Sequence, residues 1–117
     1  MSDNGSAGAL PPMSEKQRAE ALRLALEARA ASKEARARVA RGEVDPADVV
    51  LEPEGAYRRM RVRSLLTAVP GVGTVIADRI MGACGIAPGK RVAGLGSRQR
   101  RALAEQIRNV AGRQGGR

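Results

Sequence analysis

The chain contains 117 residues with a formal net charge of +9, and this length predicts one domain with or without a tail. It has no histidine and a single cysteine, which excludes an intrachain disulfide, a Cys/His zinc site and any mechanism that needs a histidine base. One tyrosine is the only aromatic residue, which argues against a stacking platform for single-stranded nucleic acid, and no apolar run is long enough to span a membrane.

The first predicted elements are a disordered tail over residues 1–12 and a long helix over residues 13–42. Small and polar residues dominate the tail. Ser14 and Gln17 form a capping box that opens the helix, the segment that follows is rich in Ala, Leu, Glu and Arg, and Gly42 ends it. A helix of this length in so small a protein extends beyond the domain.

The remaining helices are short and belong to a compact domain over residues 43–112, followed by a flexible tail over residues 113–117. Pro, Gly and capping residues delimit four helical segments, over 46–51, 61–68, 74–84 and 97–110. Ser97 is the predicted cap of the last segment. Val75 and Ile80 fall at core spacing in the third. No stretch predicts a strand, so the predicted class is all-α with about five helices.

The charge is concentrated in the second half of the sequence. Residues 1–55 contain eight Lys and Arg and ten Asp and Glu, a net charge of −2, whereas residues 56–117 contain thirteen and two, a net charge of +11. Such a concentration of like charge repels itself, and an anionic partner relieves the repulsion. Nucleic acid is favoured over a membrane surface, because the apolar residues are mostly Ala, Val and Leu and offer no bulky anchors.

A Pro-Gly-Val-Gly turn at residues 70–73 separates two of the predicted helices. We expect its glycines to adopt positive φ and Val72 to point into the core. The N–H groups at the start of the following helix, from Thr74 onward, form an anion site together with the helix dipole. The turn is therefore predicted to bind a backbone phosphate of nucleic acid.

A second glycine-containing segment, residues 90–97, precedes the last helix. Its backbone N–H groups and the hydroxyl of Ser97 offer a second phosphate site, and Lys90 and Arg91 add positive charge. Two phosphate-binding turns suit a duplex better than a single strand, because they can hold two points of the backbone across a groove.

These segments resemble the helix-two-turn-helix of the actinobacterial integration host factor family. The resemblance covers most of the chain, and it is carried by Leu10-Pro11-Pro12, Glu15, Gln17-Arg18-Ala19, Met60, Val62, Leu65-Leu66, the Pro-Gly-Val-Gly turn, Ile80-Met81, Arg91-Val92 and Gly94-Leu95-Gly96. It implies a nucleoid-associated protein that binds double-stranded DNA with little sequence preference, bends it and compacts the chromosome without catalysis. It also implies that the long first helix lies across the binding core as a lid.

Three positions depart from the family pattern. Thr74 and Ala93 stand where the family usually has basic residues, and Arg63 stands where it often has serine. We therefore expect the basic contacts to shift towards Arg61, Arg63, Arg98, Arg100 and Arg101. Asp78 is predicted to pair locally, either with the helix neighbours of Arg79 or with Arg63. The predicted DNA-binding residues are Arg61, Arg63, Gly71, Val72, Gly73, Thr74, Lys90, Arg91, Gly94, Gly96, Ser97 and Arg98.

Repair glycosylases share part of this sequence pattern. The glycine turn also resembles the hairpin-helix element of repair glycosylases, which carry a catalytic lysine two residues after the second glycine. Val75 occupies that position and cannot form a Schiff base, so we expect no enzymatic activity. Two alternative functions are open besides the binding of double-stranded DNA by a nucleoid protein. One is an RNA-binding module similar to a small-subunit ribosomal protein, and the other is a non-catalytic appendage of a repair enzyme.

The remaining expectations concern partners and location. We expect double-stranded DNA as the partner, and no membrane, small-molecule substrate, metal or cofactor. The N-terminal segment is acidic and polar and does not resemble a signal peptide, which favours a cytoplasmic, nucleoid-associated protein. We expect a monomer in the absence of DNA.

Overall fold

The computed structural model describes residues 14–115 of the chain and the side chains up to residue 111, so the tail predicted at residues 1–12 lies outside the described residues. The all-α prediction is confirmed. The described range contains six α-helices and one 3-10 helix, namely α1 (Glu15–Ala40), α2 (Pro46–Leu51), α3 (Ala56–Arg59), α4 (Val62–Ala68), α5 (Thr74–Ala83), the 3-10 helix (Val92–Gly94) and α6 (Ser97–Gly115). Its only β-type pairing is an isolated antiparallel bridge between Arg61 and Arg91.

The long helix α1 begins with the predicted capping box. Ser14 Oγ accepts a hydrogen bond from the Gln17 N–H (3.1 Å), and Gln17 Oε1 accepts one from the Ser14 N–H (2.9 Å). The two reciprocal bonds satisfy N–H groups that a helix start would otherwise leave unpaired. Gly42, with φ at 78°, redirects the chain two residues after the helix ends.

Most of α1 projects beyond the core. Nearly every side chain between residues 15 and 34 is exposed, including Leu22, Leu24 and Leu26. At about 1.5 Å per residue this exposed part is about 30 Å long. Burial begins only at Ala35 and Val39, so the C-terminal end of the helix is the part that packs on the domain.

Two polar contacts fasten the packed end of α1. The hydroxyl of Tyr57, the only aromatic side chain, donates to the Ala35 carbonyl at 2.8 Å. Arg36 Nε donates to the Ser64 carbonyl at 3.2 Å. Because the partners are far apart in sequence, these bonds fix α1 relative to α3 and α4.

The hydrophobic core lies between the short helices and α6. Helix α2 packs along α6, and α4 packs on α1 and α5. The largest fully buried side chains are Leu65, Leu66, Leu103 and Ile107. The core position predicted for Val75 is wrong, since this side chain is 68% exposed. At about 100° per residue Val75 stands roughly 140° around the helix from buried Ile80, on the exposed side of α5.

Three features of the helices differ from the prediction. Helix α3 and the 3-10 helix have four and three residues, too few for a periodic pattern to reveal. Helix α6 extends to Gly115, beyond the predicted end near Val110 and into the segment predicted as a tail. The single Gly112 costs only about 1 kcal/mol of helix propensity, which good helix formers around it offset. No helix in the described part of the chain is long and apolar enough to cross a membrane.

Candidate nucleic-acid interface

The first glycine turn joins α4 to α5 and is anchored by Val72. Gly71 has φ at 85°, in the left-handed region that favours glycine. Val72 is only 6% exposed, and its N–H donates to the Val69 carbonyl at 3.0 Å. The predicted core position of Val72 is confirmed, and its burial holds the turn in place.

Gly73 has a different backbone from the one predicted. Its φ of −93° and ψ of −171° describe an extended conformation that any residue can adopt, so the expectation of positive φ at both glycines is wrong for Gly73. A Cβ added at Gly73 would meet no atom within 4 Å. Glycine here keeps the space beside the helix start open and relieves no backbone strain.

The start of α5 presents N–H groups that no side chain caps. Gly73 is the N-cap residue and makes no side-chain capping bond. The first helical bond of α5 runs from the Ala77 N–H to the Gly73 carbonyl (2.9 Å), so the N–H groups of residues 74–76 have no helical acceptor. With the positive end of the helix dipole and the exposed Thr74 hydroxyl, these N–H groups could donate hydrogen bonds to an anion.

The isolated bridge brings two arginines side by side. Backbone hydrogen bonds of 3.0 and 2.9 Å join residues 60–62 to residues 90–92 and make Arg61 and Arg91 a directly opposed pair. In such a pair the Cα atoms are about 4.5 Å apart and the side chains leave the same face. Both side chains are exposed, and the Arg91 guanidinium donates to the Arg59 carbonyl. Like charges directly opposed destabilise the pairing, and a bound anion would relieve this repulsion.

Hydrogen bonds within the protein already use two N–H groups of the second predicted phosphate site. The Gly94 N–H donates to the Arg91 carbonyl (2.9 Å), and the Gly96 N–H donates to Gln99 Oε1 (3.1 Å). Protein acceptors therefore already use these two N–H groups, and the binding of phosphate at Gly94 and Gly96 stays a prediction. The Lys90 side chain packs on Gly94, where an added Cβ would lie 3.7 Å from its Cε.

At the start of α6 the polar contact to the backbone comes from Gln99 and not from Ser97, the predicted cap. Ser97 is the first residue of α6, and Gln99 reaches back from the third position to the N–H that precedes the helix. The same side chain donates to the Gly85 carbonyl at 2.8 Å and thereby joins the start of α6 to the end of α5. Ser97 and Arg98 are exposed beside this cap.

Arg63 is engaged by a carboxylate. Its guanidinium donates to Asp78 through two bonds of 2.8 and 3.3 Å, and both side chains are about half exposed. This confirms one of the two predicted partners of Asp78. The hydrogen bond to Asp78 raises the pKa of the Arg63 guanidinium above its ordinary value. Arg63 thus stays charged, but the neighbouring carboxylate balances its charge.

Three of the predicted residues line one groove between α4 and α5, which we call the α4–α5 groove. It has a volume of about 740 Å³ and includes Arg61, Arg63 and Thr74, with Asp78 on the α5 side. The structure therefore brings the start of α4 and the start of α5 together around a single surface depression. Within the described residues no cluster of three or more His, Cys, Asp or Glu side chains could hold a metal.

Arg100, expected among the shifted basic contacts, has a structural role instead. Its half-buried guanidinium donates to the carbonyls of Val50, Val92 and Leu95 at 2.7, 3.2 and 3.0 Å. These bonds connect α2 and the 3-10 helix to α6. The positively charged group of Arg100 therefore contacts backbone carbonyls of the domain. Its neighbour Arg101 is exposed. No sequence signal separates these two adjacent arginines.

The α4–turn–α5 unit, followed by a second turn and α6, defines a helix-two-turn-helix protein. A family model described as "S13-like H2TH domain" matches residues 51–107. Over 101 residues the chain is 43% identical to the protein named Integration host factor from Mycobacterium tuberculosis, covering 85% of this chain and 96% of that protein. The chain belongs to the integration host factor family.

Two further similarities concern a solved structure and an enzyme. A structure of sIHF bound to an 8bp palindromic DNA superposes with a TM-score of 0.67 at 32% identity, covering 73% of this chain and 98% of that one. A shorter match, 36% identical over 70 residues, is to formamidopyrimidine-DNA glycosylase of Corynebacterium urealyticum. It covers 53% of this chain and only 24% of the enzyme.

Proposed function

We propose that this chain is an architectural protein of the nucleoid that binds double-stranded DNA through its phosphates, with little sequence preference, and bends and compacts it. The opposed Arg61–Arg91 pair carries this conclusion, because it places two arginine side chains next to each other and a bound anion would relieve their repulsion. Arg61 also lines the groove that contains Thr74, at the uncapped start of α5. Membership of the integration host factor family and the likeness to DNA-bound sIHF support the proposal.

The proposed contacts position the duplex without reading its sequence. Backbone N–H groups at α5 and the side chains of Lys90, Ser97 and Arg98 bind phosphate oxygens, which are the same for every base pair. These groups belong to different elements of the fold. A duplex that satisfies all of them follows the protein surface, and sequences that deform easily bind at lower cost.

We propose no catalytic step and no obligate oligomer for this function. Val75, exposed at the first turn of α5, occupies the position of the glycosylase lysine and offers no nucleophile. The non-enzymatic role also agrees with the short extent of the glycosylase match. Off DNA we propose a monomer.

The salt dependence of binding tests the electrostatic basis of the proposal. With about five phosphates neutralised, the slope of log K against log salt is expected near −4.5. Fluorescence anisotropy of a labelled duplex between 50 and 200 mM salt, roughly the range where such slopes are measured, gives the value. A slope shallower than about −2 would contradict a phosphate-dominated interface. The side chains expected to supply these contacts are Arg61, Lys90, Arg91, Arg98 and Arg101.

Asp78 is expected to weaken duplex binding in the wild type. The Asp78→Asn variant removes a negative charge from the α4–α5 groove and releases Arg63, so its affinity is expected to rise about fivefold, or about 1 kcal/mol. The salt slope becomes steeper by about 0.9 if Arg63 gains a phosphate. Glu105→Gln is the matched control, because Glu105 is the other carboxylate of residues 56–117 and is exposed on α6. Equal gains in the two variants would mean that only net charge matters.

Structured RNA is the second candidate partner, because the matching family model is described as S13-like. Competition between a DNA duplex and a folded RNA hairpin of equal phosphate number distinguishes the two at fixed salt. We expect the DNA duplex to displace the hairpin. Preference for the hairpin would instead favour the RNA-binding alternative.

A further inference from the structure

The outer side of α1 carries two leucines that no other segment of the described chain covers. Leu22 and Leu26 lie about one turn apart and are 58% and 54% exposed. At about 100° per residue they stand roughly 140° and 180° around the helix from Ala35, where α1 packs on the domain. A second helix can therefore lie along these leucines without meeting the rest of the domain.

The leucines belong to a stripe with the spacing of a coiled coil. Its members follow one another at alternating intervals of four and three residues, which is the a and d spacing of a heptad. In chain order they are Glu15, Ala19, Leu22, Leu26, Arg29 and Lys33. All are exposed, so we call them the outer stripe of α1. Its apolar residues lie in the middle, its acidic residue at one end and its basic residues at the other.

This order of charges distinguishes between the two directions in which two outer stripes can meet. In a parallel pair each position meets itself, which would place Lys33 against Lys33 and Glu15 against Glu15. In an antiparallel pair centred on the leucines, Leu22 would pack on Leu26 of the second copy, and Glu15 would face Lys33 at both ends. Glu15 and Lys33 form no ion pair within the described residues, so both charges are available. Opposite charges attract, which favours the antiparallel pair.

The nearest like charge beside the leucines is already neutralised. Arg23 would approach Arg23 of the second copy near the centre of an antiparallel pair. Its guanidinium forms ion pairs with Glu20 and Glu27 of its own helix, at the preceding and the following turn. These carboxylates offset the repulsion between the two arginines.

The outer stripe is too small to hold two copies together in free solution. Two leucines and one alanine from each copy bury much less than the roughly 800 Å² per partner of a standard stable interface. A pair of this size needs a high local concentration, and copies held on neighbouring DNA segments provide it. This agrees with the monomer proposed off DNA.

We infer that the outer stripe of α1 pairs antiparallel with the same stripe of a second copy when both are bound to DNA, and so links two DNA segments. This inference rests on the proposed function and names a contact through which the chain compacts DNA. In the antiparallel pair the ends of α1 that pack on the two domains, at Ala35 and Val39, point in opposite directions. The two domains therefore stay apart, and each can hold its own duplex.

The test measures how much labelled duplex is captured by a second duplex fixed on beads when the full chain is added. Each duplex is short enough to bind one copy. Leu22→Gln/Leu26→Gln is expected to lower the capture about tenfold, because the link between copies is lost. Its affinity for a single duplex is expected to stay within about twofold of the wild type. Glutamine and leucine have similar helix propensities, and circular dichroism checks that α1 still forms.

Leu24→Gln is the matched control for the leucine variant. Leu24 lies between the two leucines in the sequence and is 51% exposed, but it stands roughly 20° from Ala35 and outside the outer stripe. Its capture is expected to stay within about twofold of the wild type. An equal loss of capture in Leu24→Gln and in Leu22→Gln/Leu26→Gln would contradict pairing through the outer stripe.

Charge reversals test the antiparallel register. Glu15→Lys and Lys33→Glu are each expected to lower capture about fivefold, because like charges then meet at both ends of the pair. An equimolar mixture of the two variants is expected to restore it, because opposite charges meet again between unlike copies. A general effect of charge on DNA binding would instead move the two variants in opposite directions.

The remaining outcomes separate this inference from the proposed function. If the wild type binds a single duplex but captures no second one, the inference is wrong and the proposed function stands. If the wild type binds no duplex, both fail. If the leucine variant loses affinity for a single duplex as strongly as it loses capture, DNA occupies the outer stripe, which overturns the inference. If the leucine variant lowers capture but the charge reversals do not, another occupant, such as residues 1–13 of the same chain, covers the leucines and the inference is also wrong.

Discussion

The Gly73→Glu variant is expected to bind duplex DNA roughly a hundredfold more weakly than the wild type, a loss of about 3 kcal/mol. Its carboxylate would stand at the N-cap of α5, beside the N–H groups that we propose bind a phosphate, and would replace attraction by repulsion. The fold is expected to survive, since the backbone at Gly73 is extended and the space for a side chain is empty. Anisotropy with a labelled duplex measures the affinity, and the helical circular dichroism checks the fold.

Two uncharged variants separate charge from size at this position. Gly73→Gln has nearly the shape of the glutamate variant and is expected to lose no more than about fivefold, or about 1 kcal/mol. Gly73→Ala is expected to resemble the wild type in stability and binding, because no positive φ has to be maintained. Wild-type affinity of a folded Gly73→Glu protein would show that no phosphate is held at this turn. An equal loss in Gly73→Gln would indicate obstruction and not charge.

Removing the opposed arginines is expected to weaken binding without weakening the fold. The double variant Arg61→Gln/Arg91→Gln loses two charge-assisted contacts, so its affinity is expected to fall about a hundredfold and its salt slope by about 1.8. Arg61→Gln alone relieves the repulsion and keeps the Arg91 bond to the Arg59 carbonyl. Its free energy of unfolding is expected to rise by a few tenths of a kcal/mol, up to about 1 kcal/mol.

The control for the double variant removes the same net charge from the exposed face of α1. Lys16→Gln/Lys33→Gln is expected to bind within about threefold of the wild type, because neither lysine lines the α4–α5 groove. Chemical denaturation measures stability alongside the binding titrations. A less stable Arg61→Gln protein would mean that the bridge needs this arginine for packing, which contradicts the repulsion argument.

Local sequence signals were sufficient for the helices that they delimit. The capping box at Ser14 and Gln17 determines where α1 begins, because both partners lie within one helical turn. Pro46 after Asp45 fixes the start of α2 in the same way, and the Asp45 side chain accepts from the Ala47 N–H at 2.9 Å. Such bonds close over two or three residues and can be seen in the sequence.

The parts of the site that the sequence analysis missed depend on residues far apart in the chain. Arg61 and Arg91 become neighbours only through a bridge between segments thirty residues apart. No periodic pattern in the sequence predicts such a bridge. Arg100 and Arg101 look alike in sequence, yet only Arg100 meets three inward-facing carbonyls. Residue type alone could not predict that Gly71 and Gly73 have different backbone conformations, since glycine adopts extended and left-handed conformations alike.

The exposed part of α1 is expected to unfold separately from the rest of the domain. Between residues 15 and 34 this helix buries almost no apolar surface and depends on its cap, its propensity and local ion pairs such as Arg23 with Glu20. Its opening therefore costs far less free energy than global unfolding, and its amides exchange with solvent long before those of Leu65 or Leu103 in the core. The binding of a ligand along this part of α1 would be coupled to formation of the helix. The enthalpy of the helix–coil transition would then contribute to the temperature dependence of the binding constant.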